Sequence, residues 1–168
     1  MAIPTTVVIP AYNDAMGLDY LLSDLLAFTE KKGLKVIVVN DCSSDNTNEV
    51  LKKYVSRIKV LGNETNLGFG GAFKRGIWAA ETEWVATFDT DKQHRISDLE
   101  SLADQAVDKV DAVIGMRDSD SHVTKSRVSG KWILSKAANF ITGRKIPDIN
   151  CGLRVFRRGV LLYILLAL

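Results

Sequence analysis

Asp89-Thr90-Asp91 follows directly on the apolar run Trp84-Val85-Ala86-Thr87-Phe88, with Gln93 and His94 close behind. An apolar run of this kind has the pattern of a strand covered on both faces, and the carboxyl end of such a strand is where open α/β sheets place ligands. Two carboxylates there are costly unless something positive lies between them. A hard divalent cation carrying substrate phosphates fits, since Mg²⁺ is held by one or two carboxylates and keeps its other positions for water and phosphate oxygens. A solvated acidic turn is the other reading of Asp-x-Asp alone. His94 is assigned a structural part, placing the acidic loop.

Two more polar clusters occupy comparable positions: Pro10-Ala11-Tyr12-Asn13-Asp14 and Asn40-Asp41-Cys42-Ser43-Ser44-Asp45. Each has the composition of a turn. At the ends of successive parallel strands they would share one edge with Asp89 and line one crevice. Tyr12 is an aromatic able to stack on a base, and Asp41 a carboxylate able to accept from a base N–H or a ribose hydroxyl. The stretch Asn66 to Gly76 is glycine-rich and runs into a helix. It lacks the Gly-Lys-Ser/Thr of a phosphate-binding P-loop, and Phe73 stands where a dinucleotide fingerprint needs its third glycine. Lys74 or Arg75 could still face a diphosphate.

The elements that must position these clusters alternate without a break. Apolar runs predict strands at Thr6–Ile9, Val36–Val39, Ile58–Leu61, Trp84–Phe88 and Ala112–Ile114. Between them, Leu18, Leu21, Leu22, Leu25 and Leu26 recur at helical spacing with Gly33 as a stop, and Asn46 with Glu49 forms a capping box. Gly71–Ala80 reads as a third helix, and Ser97 with Glu100 as a second capping box. Beyond Met116 the pattern changes to a polar loop (Asp118–Lys125), a helix (Val128–Ile141), a strand at Arg154–Phe156 and an apolar helix start. Alternating β and α segments predict a parallel, doubly wound sheet with helices on both faces. Trp78, Trp84, Trp132, Cys42 and Cys151 are expected in the core.

At 168 residues, 46% hydrophobic and 25% charged, the chain has the size and composition of one globular domain. Two cysteines are too few for a disulfide framework, and a reducing compartment is the simplest reading. The first residues have no signal-peptide pattern, and the longest apolar run, Val160–Leu168, is half a membrane span at most. Charge is unevenly placed. From Val123 onward nine Lys/Arg face one acid, Asp148, a balance of +8 that leaves −6 on the first 122 residues of a chain whose total is +2. That segment is expected to meet an anionic partner. It has no base-reading motif, so nucleic acid is the weakest candidate. The apolar C-terminus suggests truncation of a longer protein and a possible homo-oligomer formed through an exposed stub.

As an ordered set the motifs resemble the family 2 glycosyltransferases of GT-A fold, and among them most closely the polyprenyl-phosphate (dolichyl-phosphate) sugar synthases. The resemblance runs through residues 8–14, 39–47, 66–72, 88–94 and 148–158. It implies an α/β GT-A domain over 1–168, a doubly wound and mostly parallel sheet, with 1–116 binding a nucleotide sugar and 117–168 forming part of an acceptor region. It implies inverting transfer of a sugar from a UDP- or GDP-sugar donor to a polyprenyl or dolichyl phosphate. The alternatives are transfer to a saccharide, or a nucleotide-sugar-binding module without turnover.

By resemblance, Pro10, Tyr12, Asp14, Asp41, Lys74 and Asp89 bind the donor, and Asp91 and Gln93 hold Mg²⁺ or Mn²⁺. Arg117, Lys131 and Ser135 grip the acceptor phosphate, and Arg154 lies near the reacting phosphates. The implied catalytic set is Asp89, Asp91, Arg117, Lys131 and Arg154. Lys131 departs from the usual arginine, which keeps charge and loses bidentate geometry. Family members also continue with a further loop and helix, and often membrane segments. A phosphate acceptor is already anionic and needs no general base, whereas a hydroxyl acceptor would need one, for which Asp148 is the candidate. The implied location is the cytoplasmic membrane face, with peripheral membrane contact.

Overall fold

The computed structural model describes residues 3–90, 95–107, 109–116 and 151–167. Its elements in chain order are β1 (Thr5–Ala11), α1 (Ala15–Lys32), β2 (Lys35–Asn40), α2 (Thr47–Lys52), β3 (Lys59–Gly62) and α3 (Gly68–Ala79). There follow β4 (Trp84–Thr87), α4 (Ile96–Asp104), β5 (Ala112–Ile114), β6 (Arg154–Arg157) and α5 (Arg158–Ala167). The strands form one sheet in the order β3-β2-β1-β4-β6-β5. β1 to β4 are mutually parallel, and β6 runs antiparallel to both of its neighbours. The sheet is mostly parallel, as the resemblance implies, and is made mixed by one reversed strand, β6.

Apolar residues on consecutive strand positions send side chains to both faces, because strand side chains alternate. Val7 and Ile9 of β1 join Leu18, Leu22, Leu25 and Leu26 of α1, Leu51 of α2 and Leu99 of α4 in one cluster. Val8, between them, joins Ala72 and Ile77 of α3 and Val85 of β4 on the opposite face, where Leu161, Leu162 and Leu165 of α5 pack partly buried. The sheet is thus doubly wound, and its strand order reverses sense between β1 and β4. That reversal is the switch point at which sheets of this kind open a crevice.

Local chemistry sets the element ends. Asp14 caps α1 by accepting from Gly17 N at 3.2 Å. Gly33, at φ 69°, ends the helix in the left-handed region, where glycine pays no Cβ penalty. Pro10 lies inside β1 rather than after it. It sits beyond Val8, the last residue of β1 paired with β4, so its missing N–H costs no ladder bond. α3 begins at Gly68, three residues before the predicted start, and Gly76 lets it lie directly on β1: a Cβ there would meet Val8 Cγ1 at 2.2 Å.

Neither predicted capping box forms as read. The Asn46 side chain makes no capping bond; Asp45 Oδ1 instead accepts from Thr47 N at 3.0 Å. α4 starts before Ser97, because the Asp98 carboxylate accepts from Arg95 N at 3.0 Å and Glu100 pairs with Lys32 on α1. Trp84 is buried, but Trp78 is half exposed, two positions from Gly76 and so turned away from the Ala72-Gly76-Ala80 stripe that faces the sheet. Cys42 is exposed in a turn at φ 62°, whereas Cys151 is buried. Trp132 lies outside the described residues.

Candidate active site

The carboxyl ends of β1, β2, β3 and β4 lie at one edge, and the segments leaving them are braced against one another. Asn13 leaves β1 at φ 51°, a backbone region that asparagine tolerates better than most residues. Its Oδ1 accepts from Ser44 N at 2.7 Å and Asp45 N at 3.3 Å, while Asn13 N donates to Ser43 Oγ at 3.0 Å. Ala15 N donates to Asp45 Oδ2 at 3.2 Å and Asp14 N to Thr47 Oγ1 at 3.2 Å. The β1–α1 and β2–α2 loops are in this way one hydrogen-bonded unit. The Thr47 hydroxyl, donating to Asp45 Oδ1 at 2.5 Å, holds the Asp45 carboxyl below the ordinary aspartate value. Desolvation opposes it, and the Thr47 and Ala15 amides reinforce it.

The switch point is closed by Asp14 and Thr90. Thr90 Oγ1 donates to Asp14 Oδ2, so the segment after β4 is tied to the capping carboxylate of α1. Asp41, the first residue after β2, is 2% exposed; its N–H donates to Ala11 O at 2.8 Å. Its Oδ1 accepts from Asn63 Nδ2 at 2.6 Å and Leu67 N at 2.9 Å. Tyr12, next to Ala11, is 53% exposed at the same edge. Asp89 is half-buried where β4 ends, beside a cavity of about 250 Å³ that Tyr20, Asp24, Thr90 and Arg95 help to line. A larger cavity of about 380 Å³, lined by Ile3, Lys31 and Leu34, lies at the amino edge, away from these groups. The carboxyl edge is the candidate site because the polar groups converge there.

Residues 6–165 match the glycosyl transferase family 2 profile. The chain belongs to that family. A dolichyl-phosphate beta-glucosyltransferase of Trichomonas vaginalis is 28% identical over 177 residues, an alignment that covers 92% of this chain and 52% of the relative. The chain spans about half the length of the dolichyl-phosphate beta-glucosyltransferases it matches. Among solved structures, a mannosyltransferase of Pyrobaculum calidifontis in complex with GDP-Man and Mn²⁺ superposes with a TM-score of 0.68 at 21% identity, over 98% of this chain and 47% of that one. A glucosyl-3-phosphoglycerate synthase of Mycobacterium tuberculosis, in complex with Mn²⁺, UDP and phosphoglyceric acid, gives a TM-score of 0.72 at 19% identity, over 95% and 57%. The fold is GT-A.

In this family 2 chain, Pro10, Tyr12, Asp14, Asp41 and Asp89 come together at one edge. Asp14 accepts from Gly17 N through one carboxylate oxygen and from Thr90 Oγ1 through the other, and so braces the edge. Lys74 is exposed on α3. Arg75, also considered for a diphosphate, donates instead to Gly62 O at 2.6 Å and to Asn63 Oδ1. Arg154 lies at the start of β6 with its Nε on Cys151 O at 2.7 Å. Of the basic C-terminal segment, Arg157 pairs with Glu83 and lies 4.7 Å over the Trp84 ring, and Arg158 donates to Ile77 O at 3.0 Å at the end of α3. Those two cations serve the fold.

Asp91, Gln93, His94, Arg117, Lys131, Ser135 and Asp148 lie outside the described residues. Among the described residues no group of three His, Cys, Asp or Glu side chains is placed to hold a metal. In sequence, Asp89 is followed by the Asp91 carboxylate and the Gln93 carboxamide, oxygen groups of the hard kind that Mg²⁺ or Mn²⁺ prefers. Sequence reading missed Asn13, Asn63 and Thr90. Asn63, directly after β3, was the available signal, since it follows its strand as Asp41 follows β2. No described helix is long and apolar enough to cross a membrane.

Proposed function

We propose that this chain carries the donor site and part of the acceptor site of a metal-dependent, inverting glycosyltransferase that moves a sugar from a UDP- or GDP-sugar to a polyprenyl phosphate. The observation that carries the reading is the convergence of Tyr12, Asp41 and Asp89 at the β1/β4 switch point of a family 2 domain. Tyr12 offers an exposed ring to a base, and Asp41 an acceptor for a base N–H. Asp89 stands where the ribose and sugar would lie. Asp91 and Gln93 would hold Mg²⁺ or Mn²⁺, which supplies positive charge to the leaving diphosphate.

Arg117, Lys131 and Ser135 would bind the acceptor phosphate, with Arg154 close to the reacting groups. An acceptor phosphate supplies its own anionic nucleophile, so this side of the site needs cations rather than a base, in keeping with the +8 balance after residue 122. The names of relatives that act on dolichyl phosphate support a lipid phosphate over a saccharide. Such an acceptor places the protein at the cytoplasmic membrane face by peripheral contact. Calorimetry with UDP and GDP, with and without Mn²⁺, tests the donor side. A radiolabelled-sugar assay comparing polyprenyl phosphate with a saccharide tests the acceptor. Binding of neither nucleotide would refute the reading, and transfer to the saccharide alone would refute its acceptor.

A further inference from the structure

Behind the crevice, Arg75, Asn63 and Asp41 form a relay that base recognition by Asp41 alone does not require. Asn63 is 8% exposed and lies between the other two. Arg75 Nη1 donates to Asn63 Oδ1, and Asn63 Nδ2 donates to Asp41 Oδ1 at 2.6 Å. A guanidinium has only donors and a carboxylate only acceptors, so the amide between them satisfies both in one orientation alone. Gly62 O, accepting from the same Arg75 nitrogen at 2.6 Å, anchors the guanidinium to the end of β3. Leu67 N adds a second donor to Asp41 Oδ1 at 2.9 Å.

The two oxygens of Asp41 are therefore unlike. Oδ1 is committed to the protein. Oδ2 has no hydrogen bond among the described residues, and since no buried side-chain oxygen among them lacks a partner, Oδ2 reaches the surface. We propose that Asn63 and Arg75 are positioning residues that hold Asp41 as a one-oxygen acceptor aimed at the base, so that the crevice takes a nucleoside diphosphate whose base has a ring N–H and rejects one whose corresponding ring nitrogen is an acceptor. Uracil and guanine belong to the first class, cytosine to the second. The inference rests on the nucleotide-sugar reading of this crevice.

Without Arg75, the Asn63 amide keeps its bond to Asp41 but loses the donor that fixes its oxygen. Asp41 is then held by a partner that can itself shift, and its free oxygen is no longer fixed in one direction. The loss falls on discrimination among bases rather than on overall affinity. An Arg75 that instead contacted the diphosphate would act alike on every nucleotide.

The test is calorimetric binding of UDP, GDP and CDP to the whole chain in Mn²⁺, for the unaltered protein and for Arg75→Met, Arg75→Lys and Asn63→Asp, with thermal unfolding as a check on folding. A hydrogen bond to a charged group left unmade corresponds to roughly ten- to hundred-fold in affinity, and the unaltered chain is expected to prefer UDP or GDP over CDP by that factor. Arg75→Met should narrow the preference about ten-fold, Arg75→Lys less, and Asn63→Asp should bring it near unity by placing a second carboxylate against Asp41. Folded variants that keep the preference while all three affinities fall together would overturn the inference and leave the functional reading standing. An unaltered chain that binds none of the three would overturn both.

Discussion

Gly76→Ala probes the contact of α3 with the central strand β1, the tightest glycine position among the described residues. The new Cβ would lie 2.2 Å from Val8 Cγ1 and 3.2 and 3.3 Å from two more Val8 carbons. Ordinary contact begins near 3.4 Å, so α3 must retreat by about 1.2 Å or Val8 must turn. Val8 is β-branched and 0% exposed, and its rotamer has nowhere to go. Retreat would loosen Ala72 and Ile77, which pack beside it. Overpacking of this kind costs about 1–3 kcal/mol, and the stiffness of Val8 puts the cost near the top of that range. Alanine returns about 1 kcal/mol through helix propensity. The expected net loss is about 2 kcal/mol, read as a lower urea midpoint at unchanged slope. Val8→Ala removes the opposing methyls, so the double variant should lose less than the sum of the singles by at least about 1 kcal/mol. A neutral or stabilising Gly76→Ala, or strict additivity with Val8→Ala, would refute this account of the interface.

Three further outcomes are expected. Asp45 has its folded pKa depressed, chiefly by the Thr47 hydroxyl, so its contribution to stability is complete above its unfolded value and is lost as pH falls through the folded one; Asp45→Asn should flatten the acid limb of stability below about pH 4, and an unchanged limb in urea titrations would count against the assignment. Asp14→Ala removes the α1 cap and the partner of Thr90 together and should cost about 1–2 kcal/mol by denaturant unfolding; no loss would mean that the brace carries no stability. Asp91→Asn should abolish Mn²⁺-dependent UDP or GDP binding, whereas Arg117→Ala and Lys131→Ala should spare donor binding and impair transfer to polyprenyl phosphate; equal loss of donor affinity in all three would move the two cations to the donor side.

Strands and helices were legible wherever burial imposed a pattern. The run Val36–Val39 can only be a strand covered on both faces, and the leucines of α1 leave no other face to bury. Strand direction was not legible for β6. Four residues, Arg154 to Arg157, fit either sense, and the reversed one places Arg157 against Glu83, Asp111 and the Trp84 ring, all remote in sequence. Trp78 and Cys42 were misjudged because residue type was allowed to outweigh position: the first lies off the buried stripe of its helix, the second in a turn. Capping was misjudged for a related reason, since one carboxylate can serve only some of the amides within its reach, and tertiary packing decided which.

The candidate site divides along the same line. Residue type and place on a strand end were enough to find Tyr12, Asp41 and Asp89, because an α/β sheet brings those ends together whatever the loops contain. Division of labour among the acids was not readable, because it depends on donors far away in sequence. Asp14 and Asp41 look equivalent in the chain, yet Thr90 takes the last oxygen of Asp14, while Asn63 and Leu67 share one oxygen of Asp41 and leave the other open. An acid bonded through both oxygens braces the crevice, and one held by a single oxygen has the other to offer a ligand. Because Asn13, Asp45 and Thr47 cross-link the first two loops through hydrogen bonds already made, a nucleotide entering this edge would meet groups fixed in advance. Affinity gained that way depends on the ordering cost the protein has already met in folding, which is why the residues behind the crevice are expected to shape selectivity as much as those that face it.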